Sequence, residues 1–356
     1  LERPVSLCFD PPWQKRKPLF LFASPPEEER PAPDDPNVHY FAGGRTHDAG
    51  TIRLKSNETL YIEGGAVVRA NVEAVEADHV RIRGRGVLDG SGIKPHSARL
   101  VYFGKCTNLD IAGITTVATP SWTIMLHRCK DVHVHDIKEI GWVVGSDGVD
   151  VVACHSVLIE RCFFRNNDDC VVVKAFPGYR KKITEDEPAP VPLSVDNVEV
   201  RDCVFFNAQA GNAMEIGFEL RADSVKNIHF HDCDVIAAHG HGGVFTIHNG
   251  DRAMVENVLY ENIRVEHFFG KLIDFRILES RYSRDPQRGR IRNVTLRNIR
   301  VARDIYNSVS LIGGWDHEHT VENVTIEDLT IGRRKVTNAD ELQLFTNEHV
   351  SGVTFG

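Results

Sequence analysis

The chain has 356 residues, more than one ordinary globular core accommodates but a normal length for a repeat array. With 42% hydrophobic and 26% charged residues it is a folded chain, and no apolar run reaches the roughly 20 residues needed to cross a bilayer. A net charge of −8 without a basic face argues against nucleic acid, which needs clustered Lys and Arg, so neither nucleic acid nor a membrane is the expected partner.

The first 45 residues do not repeat. The stretch PPWQKRKPLFLFASPPEEERPAPDDP from Pro11 is rich in Pro and charge and reads as an irregular lead-in, either a cap on the open end of a repeat array or the remnant of a larger N-terminal domain. The chain opens Leu1-Glu2-Arg3, and no compartment is read from it.

Residues 46–356 read as an all-β, right-handed parallel β-helix, a solenoid of three-strand coils. TLYIEGGAVV at Thr59 and HVRIRGRGVLDG at His79 are its first coils. From Asn108 one phrase recurs: Asn or Asp, an aliphatic, any residue, an aliphatic, two residues, an apolar one. It reads NLDIAGI at Asn108, DVHVHDI at Asp131, SVLIERC at Ser156, NVEVRDC at Asn197 and NIHFHDC at Asn227. It continues as NVLYENI at Asn257, NVTLRNI at Asn293 and NVTIEDL at Asn323, with a degenerate copy at Gly352. Alternation inside each phrase is strand periodicity, and recurrence every ~20–50 residues marks a solenoid. Between phrases lies a second apolar strand: TIMLH at Thr123, VDVVA at Val149, VVVK at Val171, AMEIG at Ala213, VFTIH at Val244, LIDFR at Leu272, VSLI at Val309 and LQLF at Leu342. The leading Asn suits a turn into a strand, where its amide bonds local backbone or ladders with stacked Asn.

The eight cysteines include no CxxC pair, which removes support for zinc or thioredoxin-like chemistry. Cys162, Cys203 and Cys233 take the seventh phrase position, where other coils carry Ile137, Ile263, Ile299 and Leu329. Parallel neighbours sit ~4.8 Å apart, whereas a disulfide brings Cβ atoms to ~3.8 Å. Buried free thiols are expected, which mildly favours a reducing compartment.

Chemistry concentrates at two acidic clusters that open consecutive second strands, Gly145-Ser146-Asp147-Gly148-Val149-Asp150 and Asn166-Asn167-Asp168-Asp169-Cys170. Aligned as strand starts, Asp147 stands beside Asp169 with Asp168 next to them. Crowded carboxylates raise each other's pKa, and such crowding signals function. Acid–base cleavage of a glycosidic bond needs one protonated carboxyl and one ionised carboxylate, ~6.5–9.5 Å apart where a water stands between them. The alternative is a bound Ca²⁺ or a polar turn ladder; no metal and no cofactor is expected.

The solenoid, Ser146-Asp147-Gly148 and the Asn167-Asp168-Asp169-Cys170 strand, with Lys174 behind it, resemble the β-helical glycoside hydrolases of the polygalacturonase and dextranase/isopullulanase families. The polygalacturonase pattern is NTD, DD, GHG and RIK. The resemblance implies that Asp168 is the general acid and that Asp147 and Asp169 activate water, with inversion. At the third rung Asn212 replaces the His and Glu215 adds an acid, while Gly240-His241-Gly242 comes one rung late. Where RIK is expected the chain reads Phe245-Thr246-Ile247-His248, and Arg276-Ile277-Leu278 keeps part of it a rung later. Tyr40 to Asp48 and Leu60 to Val68 are similar to the start of the β-helix in dextranase/isopullulanase enzymes, where a β-sandwich precedes it, so KPLFLFASP at Lys17 reads as that sandwich's tail.

The expected function is therefore inverting hydrolysis of an α-linked, neutral glycan. Asp147, Asp168 and Asp169 are the catalytic residues and Asn212, Glu215, His241, His248, Lys174 and Arg276 bind substrate. Rivals are a rhamnogalacturonan- or pectin-type hydrolase in which Glu215 takes part, a polysaccharide lyase or epimerase, and a carbohydrate-binding protein without catalysis. His239 and the aromatic faces of Trp122, Trp142 and Trp315 are further sugar contacts, with core or rim packing as the alternative. The inserts 175–196 and 279–290 wall the cleft, and their Arg180, Lys181, Lys182 and Arg281 are cations for an acidic substrate or solvated charge.

Overall fold

A computed structural model describes residues 18–27, 30–178, 193–303 and 308–356, and the backbone of 5–9. The coil geometry begins at corner residues. The phrase-opening residues Asn108, Asp131, Ser156, Asn197, Asn227, Asn257, Asn293 and Asn323 all have φ between 52° and 61°. Asp136, Arg161, Asp202, Asp232, Asn262, Asn298 and Asp328 make a second corner of the same kind five residues later. Left-handed backbone costs most L-residues ~1–2 kcal/mol, and Asn and Asp tolerate it because their short polar side chains bond nearby groups. Here they bond the next rung as expected: Asn257 Nδ2 donates to Asn227 Oδ1 at 3.4 Å, Asn293 to Asn257 at 3.3 Å and Asn323 to Asn293 at 3.2 Å.

Between the corners the chain runs in three parallel ladders. The first stacks the opening of each phrase, Thr107–Ala112 on Lys130–His135 on His155–Glu160 and onward to Val350–Phe355. The second stacks short strands such as Thr115–Val117, Lys138–Ile140, Phe163–Asn166 and Val204–Asn207. The third stacks Val101–Gly104, Ile124–His127, Val149–Val152, Val171–Ala175, Met214–Leu220, Gly243–Asn249, Lys271–Ile277, Val309–Gly313 and Leu344–Thr346. This is the right-handed parallel β-helix, and the one helix among the described residues is the single turn Ala339–Leu342.

Its core is a set of columns. Leu109, Val132, Val157, Val198, Ile228, Val258, Val294 and Val324 stack in register, and all are buried. Each such side chain contributes ~1.5–3 kcal/mol only if the rungs on both sides are present to cover it, so the coils are stable as an array and not singly. Cys162, Cys203 and Cys233 fill the seventh-position column as buried free thiols, and the other described cysteines are also unpaired.

The lead-in departs from the expected end cap. Val5–Phe9 and Leu19–Ala23 form an antiparallel hairpin, and Phe20 and Phe22 pack on Phe163, at 5.3 and 5.0 Å between ring centres, in the middle of the solenoid. Lys138 Nζ also donates to Ser24 Oγ at 2.6 Å. The segment therefore lies along the flank of the second ladder, where aromatic rings cover apolar side chains that point outward. The first parallel strand, Val38–Phe41, pairs with Thr59–Ile62, so the stack starts ahead of residue 46. Arg180, Lys181 and Lys182 lie outside the described residues.

If the left-handed corners govern coil geometry, the exposed Asn257 can be replaced by Gly at little cost, whereas Asn257→Val should lose ~1–2 kcal/mol from steric strain alone. Thermal unfolding of the two variants reads this as a lower Tm for Val than for Gly; equal Tm values would remove the corner argument.

Candidate active site

The third ladder sets the register of the site. Val149, Val171 and Met214 are paired across consecutive rungs, so the residues two positions earlier, Asp147, Asp169 and Asn212, stack as well. Backbone bonds fix that stack: Thr123 N to Asp147 O at 2.8 Å, Gly148 N to Asp169 O at 2.8 Å and Cys170 N to Asn212 O at 3.0 Å. One carboxylate oxygen each from Asp147, Asp168 and Asp169 lie within 4.8 Å of one another. The alignment expected from sequence is therefore present, but the spacing is tighter than the ~6.5–9.5 Å of a pair with water standing between. The cause is the rung repeat itself, since carboxyls on adjacent parallel strands begin ~4.8 Å apart.

Each carboxylate is held differently. Asp168 is the partly open one; Gly145 N donates to its Oδ2 at 2.9 Å and Asp169 N to its Oδ1 at 3.2 Å. Burial and the charge of Asp147 push its carboxyl up to about 6. Asp169 is buried and accepts two bonds on Oδ1 from Asn212, one from the backbone N at 2.7 Å and one from Nδ2 at 2.8 Å. Burial and the neighbouring acids push it well above the carboxylate range. Asp147 is also buried, and Lys174 Nζ donates to its Oδ2 at 3.0 Å. Gly211, at φ +68°, permits the turn that stacks on this pair, because a Cβ there would lie 2.4 Å from the Asp169 nitrogen.

The residues expected to bind substrate divide into two groups. Asn212, Glu215, Lys174 and His248 are buried and already bonded within the protein. Lys174 joins Asp147 to Asp150, at 2.9 Å, and lies 3.8 Å above the ring of Trp122, where Arg99 also sits at 4.0 Å. Burial opposes its charge, but the two carboxylates hold it well above the usual lysine value. His248 Nδ1 is 2.9 Å from Glu215 Oε1 and its Nε2 3.1 Å from Asp274 Oδ2. Burial again opposes the charge, and Glu215 and Asp274 outweigh it and raise the imidazole to about 9. The second group reaches solvent. His241 is exposed on the turn between Asp234–Ala238 and Gly243–Asn249, and Arg276 is partly exposed.

Arg276 is not idle: its guanidinium grips Asp274 through two bonds, Nη2 to Oδ2 at 2.8 Å and Nε to Oδ1, and Lys271 donates to the same carboxylate at 2.6 Å. Asp150 and Asp274 were not singled out from the sequence. The signal was the register, which places Asp150, Val172, Glu215, Thr246 and Asp274 in one outward column of the third ladder.

Around the cleft, Phe218 stacks on His248 at 4.5 Å and Tyr282 packs on Phe218 at 5.8 Å. Tyr282 belongs to the insert 279–290, which Asp251 anchors by accepting from Arg284 N at 2.7 Å and Asp285 N at 2.8 Å. Trp142 is exposed, with the Arg165 guanidinium 3.8 Å over its ring, and Trp315 is exposed beside Arg288. His239 lies 2.6 Å from His267, and burial with that neighbour pushes it down to about 4.

Chemically, the site offers one partly open carboxyl pushed up to about 6 and two buried acids beside it, Asp147 clamped by an ammonium and Asp169, itself raised well above the carboxylate range, held by an amide. The same three oxygens are spaced to hold a divalent cation, but the Lys174 ammonium already neutralises Asp147, which works against it.

The family description Glycosyl hydrolases family 28 matches residues 40–349. A probable polygalacturonase of Arabidopsis thaliana is 26% identical over 150 residues, 36% of this chain and 33% of that protein. A polygalacturonase of Nicotiana tabacum is 24% identical over 179 residues, 44% of this chain and 45% of that protein, so the chain spans under half the length of these relatives. Among solved structures, an exopolygalacturonase from Thermotoga maritima superposes with a TM-score of 0.68 at 16% identity, covering 90% of this chain and 83% of that one. Dex49A from Penicillium minioluteum gives 0.67 at 15% identity, covering 95% and 67%. At these identities the structural likeness is one of fold.

If Asp168 is the general acid, it must carry its proton, and turnover should fall as pH rises through about 6, the value to which burial and Asp147 push it. Asp168→Asn should cut kcat by ~10²–10⁴-fold with folding intact. Initial rates across pH on dextran and polygalacturonate check both; a variant with wild-type kcat would remove Asp168 from the chemistry.

Proposed function

The chain belongs to glycosyl hydrolase family 28, and on that premise we propose that it hydrolyses α-glycosidic bonds of a glycan with inversion, Asp168 protonating the leaving oxygen while Asp147 and Asp169 activate water. Asp168 suits the acid role because it is the partly open member and keeps its proton to about pH 6. Asp147 suits the base role because the Lys174 ammonium donates to it, and at Asp169 the two bonds from Asn212 work against the burial that raises its carboxyl. The water is then received by the Asp147–Asp169 pair, and not across a wide gap between two carboxyls.

The substrate we propose is a neutral glycan. One observation carries this reading: the cation that a uronate would need, Arg276, is engaged by both oxygens of the buried Asp274. Taking a substrate carboxylate there would leave Asp274 unpaired, and breaking a buried pair costs about 3–5 kcal/mol. His248 is likewise enclosed between Glu215 and Asp274. Glu215 has no exposed surface, which weakens the rival in which it joins the chemistry of a rhamnogalacturonan-type hydrolase.

A second reading, a pectin-type substrate, draws support from the polygalacturonase relatives and from Arg281, an exposed cation of the insert close enough to Asp168 for the two charges to interact. Rates on dextran-type α-glucans and on polygalacturonate at matched pH and salt separate the two. Faster cleavage of the neutral polymers is expected; a clear preference for polygalacturonate would transfer the proposal to pectin and leave the carboxylate roles untouched.

A further inference from the structure

Behind the catalytic turns stands an acid that faces the inside of the solenoid. Glu139 belongs to the second ladder, in register with Leu88 and Thr116 on one side and with Phe164 and Phe205 on the other. Leu88, Phe164 and Phe205 are core residues, and Glu139 itself has no exposed surface. A carboxyl in an aliphatic and aromatic column is expensive to bury, and an apolar residue of similar volume would fill the space more favourably. Burial, with the charge of Asp147, pushes it up to about 8, so it is the neutral acid at neutral pH.

What the acid touches explains its place. Asn166 Nδ2 donates to Glu139 Oε1 at 2.9 Å and to the Ser146 carbonyl at 2.9 Å. Asn167 N donates to Ser146 Oγ at 3.2 Å. Ser146 precedes Asp147, and Asn166-Asn167 precede Asp168-Asp169, so the Asn166 amide is a strap between the two turns that present the catalytic carboxylates. One rung on, Asn207 Nδ2 donates to the Asp168 carbonyl at 2.8 Å and its Oδ1 accepts from Gly240 N at 2.6 Å, which repeats the arrangement without an acid behind it. Glu139 accepts one of the two bonds from the Asn166 amide and so orients it. Without it the amide can rotate off the Ser146 carbonyl and free the Asp147 turn from the Asp168 turn.

We propose that Glu139 is a positioning residue for hydrolysis: through Asn166 it holds the turn bearing Asp147 against the turn bearing Asp168 and Asp169, and it is retained inside the core for that purpose. The inference rests on the proposed roles of those three carboxylates. A misplacement of about 1 Å at such a site can lower turnover on the order of 10²-fold.

The test compares Glu139→Leu, Glu139→Gln and Asp168→Asn on whichever of dextran and polygalacturonate the wild type cleaves. Glu139→Leu should keep or raise Tm while kcat falls by an order of magnitude or more and KM changes little; Glu139→Gln, which still offers an oxygen to Asn166, should recover most of the turnover. A purely structural role predicts the opposite pairing, unchanged kcat in Glu139→Leu, and that result overturns the proposal. Should Glu139→Leu not fold, Glu139→Met is the second apolar variant. If Asp168→Asn keeps wild-type turnover, the catalytic assignment fails and this inference with it; if Asp168→Asn is inactive and Glu139→Leu fully active, only the positioning role is lost. Should neither polymer be cleaved, crystal structures of the wild type and Glu139→Leu decide: a shifted Asn166 amide and a wider Asp147–Asp168 separation support it, and an unchanged site overturns it.

Discussion

The repeat distance between rungs of the third ladder is the constraint on which the rest of the cleft depends. Backbone hydrogen bonds from Gly148 to Asp169 and from Cys170 to Asn212 fix successive strands in register, and any residues at equivalent positions must stand one rung apart. Placing acids there creates like charges within 4.8 Å, a configuration unstable without compensation. Compensation accordingly surrounds them: the Lys174 ammonium between Asp147 and Asp150, the Asn212 amide on Asp169, and the Gly145 amide on Asp168. The three environments are unequal: Asp168 is partly open and pushed up to about 6, Asp169 is buried and raised well above the carboxylate range, and Asp147 is paired with an ammonium.

The same column logic extends along the cleft floor. Glu215, His248, Asp274, Arg276 and Lys271 form a second charged group two rungs farther on, in which every cation faces a carboxylate. This floor supplies rigidity rather than a free charge for substrate. Under the proposed function, the rim groups open to a sugar include the exposed Trp142, the exposed Tyr282 on its anchored insert, and His241.

The fold was legible because the repeat carries two periodicities at once, strand alternation within a phrase and solenoid spacing between phrases. The phrase-opening Asn residues announced the corners, and the seventh-position cysteines announced a core column because Ile and Leu fill the same place in other coils. The alignment of Asp147 with Asp169 also came from the strand starts. Sequence was less able to distinguish a residue lining the cleft from one buried beneath it. Asn212, Glu215, Lys174 and His248 share the cleft face by register, yet their partners come from neighbouring rungs, and those partners decide that they support the site from below. Asp274 was passed over because it sits in a strand that reads as apolar. Glu139 was invisible for a related reason: the three-residue strand Lys138–Ile140 is too short for alternation to tell which side chain turns inward. The flank position of the lead-in depends on aromatic contacts far apart in sequence, Phe20 and Phe22 on Phe163, which no local pattern encodes.

The close packing of the three carboxylates also makes the stereochemical outcome the decisive observable. Carboxyl groups ~5–5.5 Å apart usually signal a covalent intermediate and retention, whereas the family resemblance and the clamped Asp147–Asp169 pair point to direct attack by water. Proton NMR of the anomeric region, recorded during the first minutes of cleavage of an α-linked oligosaccharide that the wild type hydrolyses, distinguishes them. With water as the attacking group, the β-anomer of the new reducing end should appear first and then mutarotate. Initial appearance of the α-anomer would contradict inversion, and would make one of Asp147 and Asp169 a nucleophile instead of a base.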